Sequence, residues 1–156
     1  MGYAADTNDA GESLFVAHID FDGGSRSSKG LGAIDTRAFR LGVIGPFNPI
    51  IPGAELTGTG DGRLFAFYTG PQPTGSHIAE IDKTSGRILS QDTLRVGTTQ
   101  DAFAFAYWGG EFWIFTSAAG PSTVTRYDLA TKTETTVASA PNTIVGAGVS
   151  TCAPSQ

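Results

Sequence analysis

Apolar and polar positions along this chain repeat in three rounds of similar length. Each round opens with a turn glycine and an apolar, aromatic run, at residues 11–16, 62–67 and 110–115. Leu14 corresponds to Leu64 after 50 residues, and Leu64 corresponds to Phe112 after a further 48. A fixed period of about 20 to 50 residues is typical of solenoids and propellers. The pattern therefore indicates a repeat protein.

An aspartate ends a second apolar run in each round, and these residues are Asp35, Asp82 and Asp128. An Asp side chain accepts hydrogen bonds from backbone N–H groups two or three residues on, so each aspartate predicts a tight turn between antiparallel strands. One round thus predicts an inner strand, a strongly apolar strand, a strand ending at Asp and an outer strand. Four strands per round are typical of a propeller blade.

We therefore predict an all-β fold of three four-stranded propeller blades in one half-propeller domain, residues 1–156. The blades are expected at about residues 1–47, 53–94 and 101–138. In the second blade the strands are predicted at 54–59, 64–67, 77–82 and 87–91. In the third they are predicted at 102–107, 112–116, 123–128 and 133–137.

The two ends of the chain differ from this regular pattern. The first round has only residues 1–4 where an inner strand belongs, whereas residues 142–152 resemble an inner strand in excess. An unpaired apolar strand promotes aggregation, so we expect this terminal strand to complete a first blade, either its own or that of a partner chain. Since propellers have about four to eight blades, we expect two copies to close as a six-bladed β-propeller homodimer. An open three-bladed array is the alternative.

Composition agrees with many short strands, because the chain has 21 Gly, 8 Pro and only 16% charged residues. A formal charge of −5 without a basic cluster argues against a nucleic-acid partner. No apolar run reaches the roughly 20 residues of a membrane span, and no secretory signal is recognisable, so no membrane partner is expected. Cys152 is the sole cysteine in the sequence, which excludes an internal disulfide.

Two glycine-rich segments, residues 53–65 and 145–154, resemble the C-terminal half of uncharacterised bacterial β-propeller proteins with YVTN- and quinoprotein-like blades. The resemblance covers nearly the whole chain and implies a propeller without a characterised activity. It also implies that Met1 is an internal methionine of a longer gene, that Cys152 has lost a partner, and that the parent protein is exported. By architecture alone, the chain is similar to six-bladed paraoxonase-like and gluconolactonase-like hydrolases, which hold a divalent cation at the channel mouth.

Side chains suited to metal binding are expected on one loop-rich rim. Glu55 and Asp101 precede inner strands, and Asn142 has a comparable place after the third round. This oxygen-rich set favours Ca²⁺, whereas adding a histidine favours Zn²⁺ or Mn²⁺. Solvated carboxylates at loop ends are the structural alternative. No organic cofactor is expected.

The candidate proton-transfer groups are His18, Asp20 and His77, which are predicted on or beside the same rim. His18 and Asp20 belong to the longest predicted loop, residues 18–30, and a strand-end histidine bonded to backbone is the alternative for His18. Tyr68 and Tyr107 are candidates for lining a substrate pocket near the rim.

Two function classes remain open from the sequence. One is a metal-dependent hydrolase of an ester, lactone or phosphoester, in which a divalent ion polarises the substrate and activates water. The other is a non-catalytic propeller scaffold that binds a small ligand, glycan or protein through the same rim. No Gly-x-Ser-x-Gly motif is present, which disfavours a serine hydrolase.

Overall fold

The computed structural model describes residues 1–7, 11–22, 25–71, 74–97 and 102–154. Within these ranges the chain forms twelve β-strands and no helix, so no helical membrane span occurs there. The strands are β1 (Gly2–Ala5), β2 (Glu12–Asp22), β3 (Ser25–Asp35), β4 (Arg40–Gly45), β5 (Glu55–Gly58), β6 (Leu64–Pro71), β7 (Thr74–Ile81), β8 (Ile88–Leu94), β9 (Ala102–Trp108), β10 (Glu111–Ser117), β11 (Ser122–Asp128) and β12 (Thr133–Ala140).

Consecutive strands pair antiparallel in three four-stranded sheets. Sheet 1 contains β1 to β4, sheet 2 contains β5 to β8, and sheet 3 contains β9 to β12, each in sequence order. The all-β prediction and the three four-stranded units are therefore confirmed. Strand positions in sheets 2 and 3 agree with the prediction to within a few residues. The order of strands is consistent with a propeller blade.

The three predicted aspartate turns are formed as expected. Asp35 Oδ1 accepts hydrogen bonds from the backbone N–H of Arg37 and Ala38, both at 2.9 Å. Asp82 Oδ1 accepts from the backbone N–H of Thr84 at 2.8 Å, and Asp128 Oδ1 accepts from that of Ala130 at 2.8 Å. Hydrogen bonds favour the ionised carboxylates and lower the pKa of all three aspartates, chiefly those from Ala38 N–H to Asp35, from the Thr84 hydroxyl to Asp82 and from Thr131 N–H to Asp128.

Sheet 2 packs against both neighbouring sheets through alternate residues of β6. Leu64, Ala66 and Tyr68 belong to the core shared with sheet 1, whereas Phe65 and Phe67 belong to the core shared with sheet 3. All five side chains are at most 3% exposed. Successive side chains of a strand point to opposite faces, which explains why β6 is apolar at every one of these positions.

The inner strands β1 and β5 approach each other closely because two glycines face the contact. A Cβ atom added to Gly2 would lie 2.4 Å from the Leu56 carbonyl oxygen. One added to Gly58 would lie 2.1 Å from the Tyr3 carbonyl oxygen. Only the absence of a side chain at both positions allows this spacing.

Sheet 1 obtains its inner strand from its own N-terminal residues, β1, which pairs with β2. Residues 142–154 contain no strand, so the inner strand predicted at 142–152 is not formed in the single chain. A Cβ atom added to Gly146 or Gly148 would meet no described atom within 4 Å beyond its chain neighbours, and glycines without packing partners weaken a strand. In the single chain the inner strand of sheet 1 is therefore β1 and not this segment, and completion of a partner chain's sheet stays a prediction.

The predicted loop at residues 18–30 is also corrected. Most of it extends the β2–β3 hairpin, in which His18 pairs with Gly30 and Asp20 pairs with Ser27. The register shifts between His18 and Ile19, which marks a β-bulge. Polar and apolar residues alternate from His18 to Asp22, which is typical of a strand as well as of a metal-binding segment. In the structure this segment pairs as a strand.

Candidate functional site

The predicted candidates for metal binding are not brought together in the described part of the chain. Glu55 begins β5, and its carboxylate lies 3.5 Å from the N-terminal nitrogen of Met1. Asn142 is exposed, and its backbone oxygen accepts a hydrogen bond from Ser122 N–H at 3.2 Å. Asp101 lies outside the described residues. Among the described residues no three His, Cys, Asp or Glu side chains are grouped as an ion would require.

The candidate proton-transfer groups lie in different environments. His18 is exposed on β2, and its backbone oxygen accepts a hydrogen bond from Ser28 Oγ at 3.2 Å. The backbone of Asp20 lies in the same strand, but its side chain is not among those the structure describes. His77 is 0% exposed. On β7 it lies on the same face as Ala79 and Ile81, which belong to the core between sheets 1 and 2.

His77 and Tyr68 are buried at the edge of this core and make polar contacts with Gln91 and Thr93, which are exposed on β8. The Tyr68 hydroxyl donates to Gln91 Oε1, and Gln91 Nε2 lies 3.2 Å from His77 Nδ1. Thr93 Oγ1 lies 3.3 Å from the same nitrogen, and the rings of Tyr68 and His77 have centroids 5.1 Å apart. Burial raises the pKa of Tyr68 to about 12, so its hydroxyl remains a donor at neutral pH. These contacts make His77 a packed, hydrogen-bonded residue, and its role in proton transfer stays a prediction.

Tyr68 and Tyr107, predicted to share a pocket, lie in different parts of the molecule. Tyr68 is 3% exposed and contributes to the core between sheets 1 and 2. Tyr107 is partly exposed near the end of β9 and packs on Phe112, with ring centroids 5.1 Å apart. The structure does not bring the two residues together, because Tyr68 faces the core between sheets 1 and 2, whereas Tyr107, on sheet 3, packs against the core between sheets 2 and 3.

Tyr107 instead lines a polar cavity of about 490 Å³ near the turn between β5 and β6. The other side chains and backbone around it come from that turn and from the terminal segment: Thr59, Gly60, Asp61, Thr151, Cys152 and Ala153. Thr59 Oγ1 donates to Asp61 Oδ1 and also accepts from Arg63 N–H at 3.0 Å. The hydroxyl of Thr59 thus orients the carboxylate of Asp61 beside the cavity.

Charged residues next to this cavity affect the Tyr107 phenol. Burial raises its pKa, the charge of Asp61 raises it further, and the charge of Arg63 partly opposes both effects. Arg63 is itself held by Glu80, with Nε and Nη2 at 3.0 and 2.7 Å from the two carboxylate oxygens. The cavity therefore presents a protonated phenol, which can donate a hydrogen bond, and an acceptor carboxylate.

The terminal segment, residues 142–154, forms one wall of this cavity and runs along the inner strands. It starts near the β10–β11 turn, where Thr143 Oγ1 donates to the Gly120 carbonyl at 2.6 Å. It ends near the β9–β10 turn, where Gly109 N–H donates to the Pro154 carbonyl at 2.8 Å. Between these points Thr151 Oγ1 donates to Glu12 Oε2 at 2.6 Å, which connects the segment to sheet 1.

Sequence reasoning missed Thr59, Asp61 and Cys152 as neighbours of one cavity. The Gly60-Asp61-Gly62 turn has the composition of an ordinary hairpin, and that interpretation is correct for its backbone. No sequence signal joins it to Cys152, because the two are brought together only by the path of the terminal segment. The burial of His77 could have been predicted from the strand pattern, since Ala79 and Ile81, two and four residues further along, are apolar and share its face.

No protein-family model matches the sequence, and no significant relative is found among curated proteins.

Proposed function

We propose that this chain is a non-catalytic binding scaffold, a half-propeller that closes with a second copy and binds a small polar ligand in the cavity beside Asp61. The observation that carries this proposal is the polar cavity formed by Thr59, Asp61 and Tyr107. Its volume of about 490 Å³ lies in the range of small-molecule sites, about 300 to 1,000 Å³. The buried state of His77 supports binding over proton transfer.

The chemistry of the cavity favours a ligand that combines a positive charge with a hydroxyl group. Asp61 supplies a carboxylate acceptor, and charge-assisted hydrogen bonds from an amine are stronger than neutral ones. Tyr107 supplies a phenol whose raised pKa keeps it protonated at neutral pH. A small amino alcohol can use both groups at once.

The test is an NMR titration with ethanolamine, using glycerol as an uncharged comparison. We expect saturable shifts of the backbone amides of Gly60, Asp61, Tyr107 and Thr151 with ethanolamine and weaker shifts with glycerol. Asp61→Asn should weaken ethanolamine binding at least about tenfold, because it removes the charge from the acceptor. The matched control is Asp128→Asn, which changes an aspartate in an exposed turn of sheet 3. Equal shifts in wild type and Asp61→Asn would refute the site.

The metal-dependent hydrolase predicted from Glu55, Asp101, Asn142, His18 and His77 is tested by a separate assay. The scaffold proposal expects no metal-dependent release of p-nitrophenol from p-nitrophenyl acetate or p-nitrophenyl phosphate with Ca²⁺, Zn²⁺ or Mn²⁺. Turnover that a chelator removes and one of these ions restores would replace the scaffold proposal with the hydrolase. Loss of that turnover in Glu55→Ala would then identify the carboxylate as a ligand.

A further inference from the structure

Each end sheet leaves one apolar face without a neighbouring sheet among the residues that the structure describes. On sheet 1 this leading face contains Tyr3, Leu14, Val16, Leu41 and Val43, of which Leu41 and Val43 are 55% and 80% exposed. A cavity of about 770 Å³ lies over it, lined in part by Val16, Leu41 and Val43. Exposed apolar side chains grouped on one face are typical of an interaction site.

On sheet 3 the trailing face contains Ala106, Trp108, Trp113 and Phe115. Trp108 is 52% exposed, and its ring centroid lies 6.4 Å from that of Trp113. A cavity of about 390 Å³ is lined by all four side chains. Tryptophan and phenylalanine are enriched at the centres of protein interfaces, where they bury large areas.

The leading face corresponds, residue by residue, to faces that are already packed inside the chain. Leu14 and Val16 occupy the repeat positions of Leu64 and Ala66, which face sheet 1. The same positions in sheet 3 are Phe112 and Ile114, which face sheet 2. Within the chain, this set of positions always contacts the preceding sheet.

The trailing face corresponds to the opposite set of positions. Trp113 and Phe115 occupy the repeat positions of Phe65 and Phe67, which face sheet 3. In sheet 1 the same position as Trp113 is Phe15, which belongs to the core shared with sheet 2. Phe65 and Phe112 illustrate the resulting contact, with ring centroids 4.8 Å apart. This set of positions always contacts the following sheet.

We infer that the trailing face of one chain packs on the leading face of a second copy, with Trp113 and Phe115 against Leu14 and Val16. We call this contact between a trailing face and a leading face the joint. It repeats the packing that links sheet 1 to sheet 2 and sheet 2 to sheet 3. Two such joints, related by a two-fold axis, close six sheets into a ring. This inference rests on the proposed pairing with a second copy and names the surfaces that form it.

The joint differs from the sequence prediction, in which an exchanged strand at residues 142–152 links the copies. The terminal segment lies at the inner edge of both open faces, because Ala147, Gly148 and Val149 line cavities beside Trp113 and beside Leu14. In the ring it lies on the axial side of the joint. Packed sheet faces, rather than backbone pairing of this segment, hold the copies together.

The experiment is native mass spectrometry of the full chain and of two variants, alone and mixed. The wild-type chain should be a dimer at micromolar concentration. Val16→Glu and Trp113→Glu should each raise the dissociation constant at least about 100-fold, because each places an unpaired charge in a joint. Mixed together, they should form a heterodimer, since one of its two joints then carries both changes and the other carries neither.

The control variant is Leu89→Glu, which places the same charge at a 50% exposed leucine on the central sheet and should leave the dimer intact. Trp108→Glu is a second trailing-face variant, at a more exposed position. Formation of the heterodimer shows that both partner chains are folded. Val145→Pro, at a 71% exposed residue, should also leave the dimer intact, whereas an exchanged strand would lose a backbone donor.

Other outcomes overturn specific parts of this inference. A monomeric wild-type chain would refute the proposed pairing itself. A wild-type dimer that persists in both glutamate variants would keep the pairing and refute these faces. Dissociation of only one glutamate variant would indicate that two identical faces pack on each other. Masses above the dimer would indicate an open array. Dissociation by Val145→Pro would indicate strand exchange.

Discussion

The central sheet and the two end sheets are built from the same repeat but are buried to different extents. In sheet 2, Leu64 and Phe65 are 0% and 1% exposed, because both faces are covered. Leu14 of sheet 1 has the repeat position of Leu64, and Trp113 of sheet 3 has that of Phe65. Both lie on open faces and are only partly buried. The apolar pattern of each sheet is therefore suited to two covered faces, whereas the described part of the single chain covers one face of each end sheet.

The largest expected effect comes from removing a ring at the centre. Phe65→Ala should lower the free energy of unfolding by about 3 to 5 kcal/mol, because it leaves a cavity beside the Phe112 ring that the packed sheets cannot fill. Trp113→Ala, at the same repeat position on the open face, should lower it by less than about 2 kcal/mol at low protein concentration. Urea denaturation measures both values. Equal losses would contradict the difference in packing.

A smaller effect is expected where the inner strands of sheets 1 and 2 touch. Gly58→Ala should cost about 1 to 3 kcal/mol, because its methyl group would lie 2.1 Å from the Tyr3 carbonyl oxygen and force β1 away from β5. Gly146→Ala is the matched control, since among the described residues no atom beyond its chain neighbours lies within 4 Å of the added methyl group. Thermal unfolding of the two variants compares them directly. An unchanged Gly58→Ala protein would contradict the close approach of the two strands.

The partly buried polar contacts around His77 should contribute about 1 kcal/mol through the Tyr68 hydroxyl, which Tyr68→Phe removes from Gln91. The folded pKa of Tyr68 is raised to about 12, above an unfolded value near 10, so its stabilising effect is present below pH 10 and is lost as pH rises through about 12. Ultraviolet absorbance during alkaline titration follows this ionisation. Tyr3→Phe, at a 37% exposed tyrosine, should change stability little.

The smallest effect concerns the aspartate turns, which are common to all three sheets. Their folded pKa values lie below the unfolded value of 3.8, so the stability they provide is present above that pH and is lost as pH falls through the folded values. Replacing Asp35, Asp82 and Asp128 together by Asn should reduce the fall in urea midpoint between neutral and acid pH. A triple variant with the wild-type acid dependence would contradict this assignment.

The fold was predictable because each round carries its own local signals. The glycine before Leu64 and the aspartate at position 82 set the ends of strands, and the apolar residues between them identify the buried strands. The β2–β3 hairpin was underestimated because Asp20, Asp22 and two glycines have turn composition, although the strands pair through this region.

The candidate site was less predictable because it depends on contacts between distant parts of the chain. Glu55 and Asn142 were grouped by their places in the repeat, but no cation cluster forms among the described residues. Asp61 and Cys152 are 91 residues apart in sequence and meet only because the terminal segment returns along the inner strands. Repeat position predicts which face a side chain joins, whereas it does not predict where an irregular segment runs.

Sedimentation velocity of the wild-type chain at micromolar concentration tests the joint between open faces most directly. Two copies joined through the leading and trailing faces should sediment as a single compact species with twice the mass of the chain. A single species with the mass of one chain would contradict the pairing, because the exposed leucine, valine and tryptophan side chains would then remain uncovered in solution.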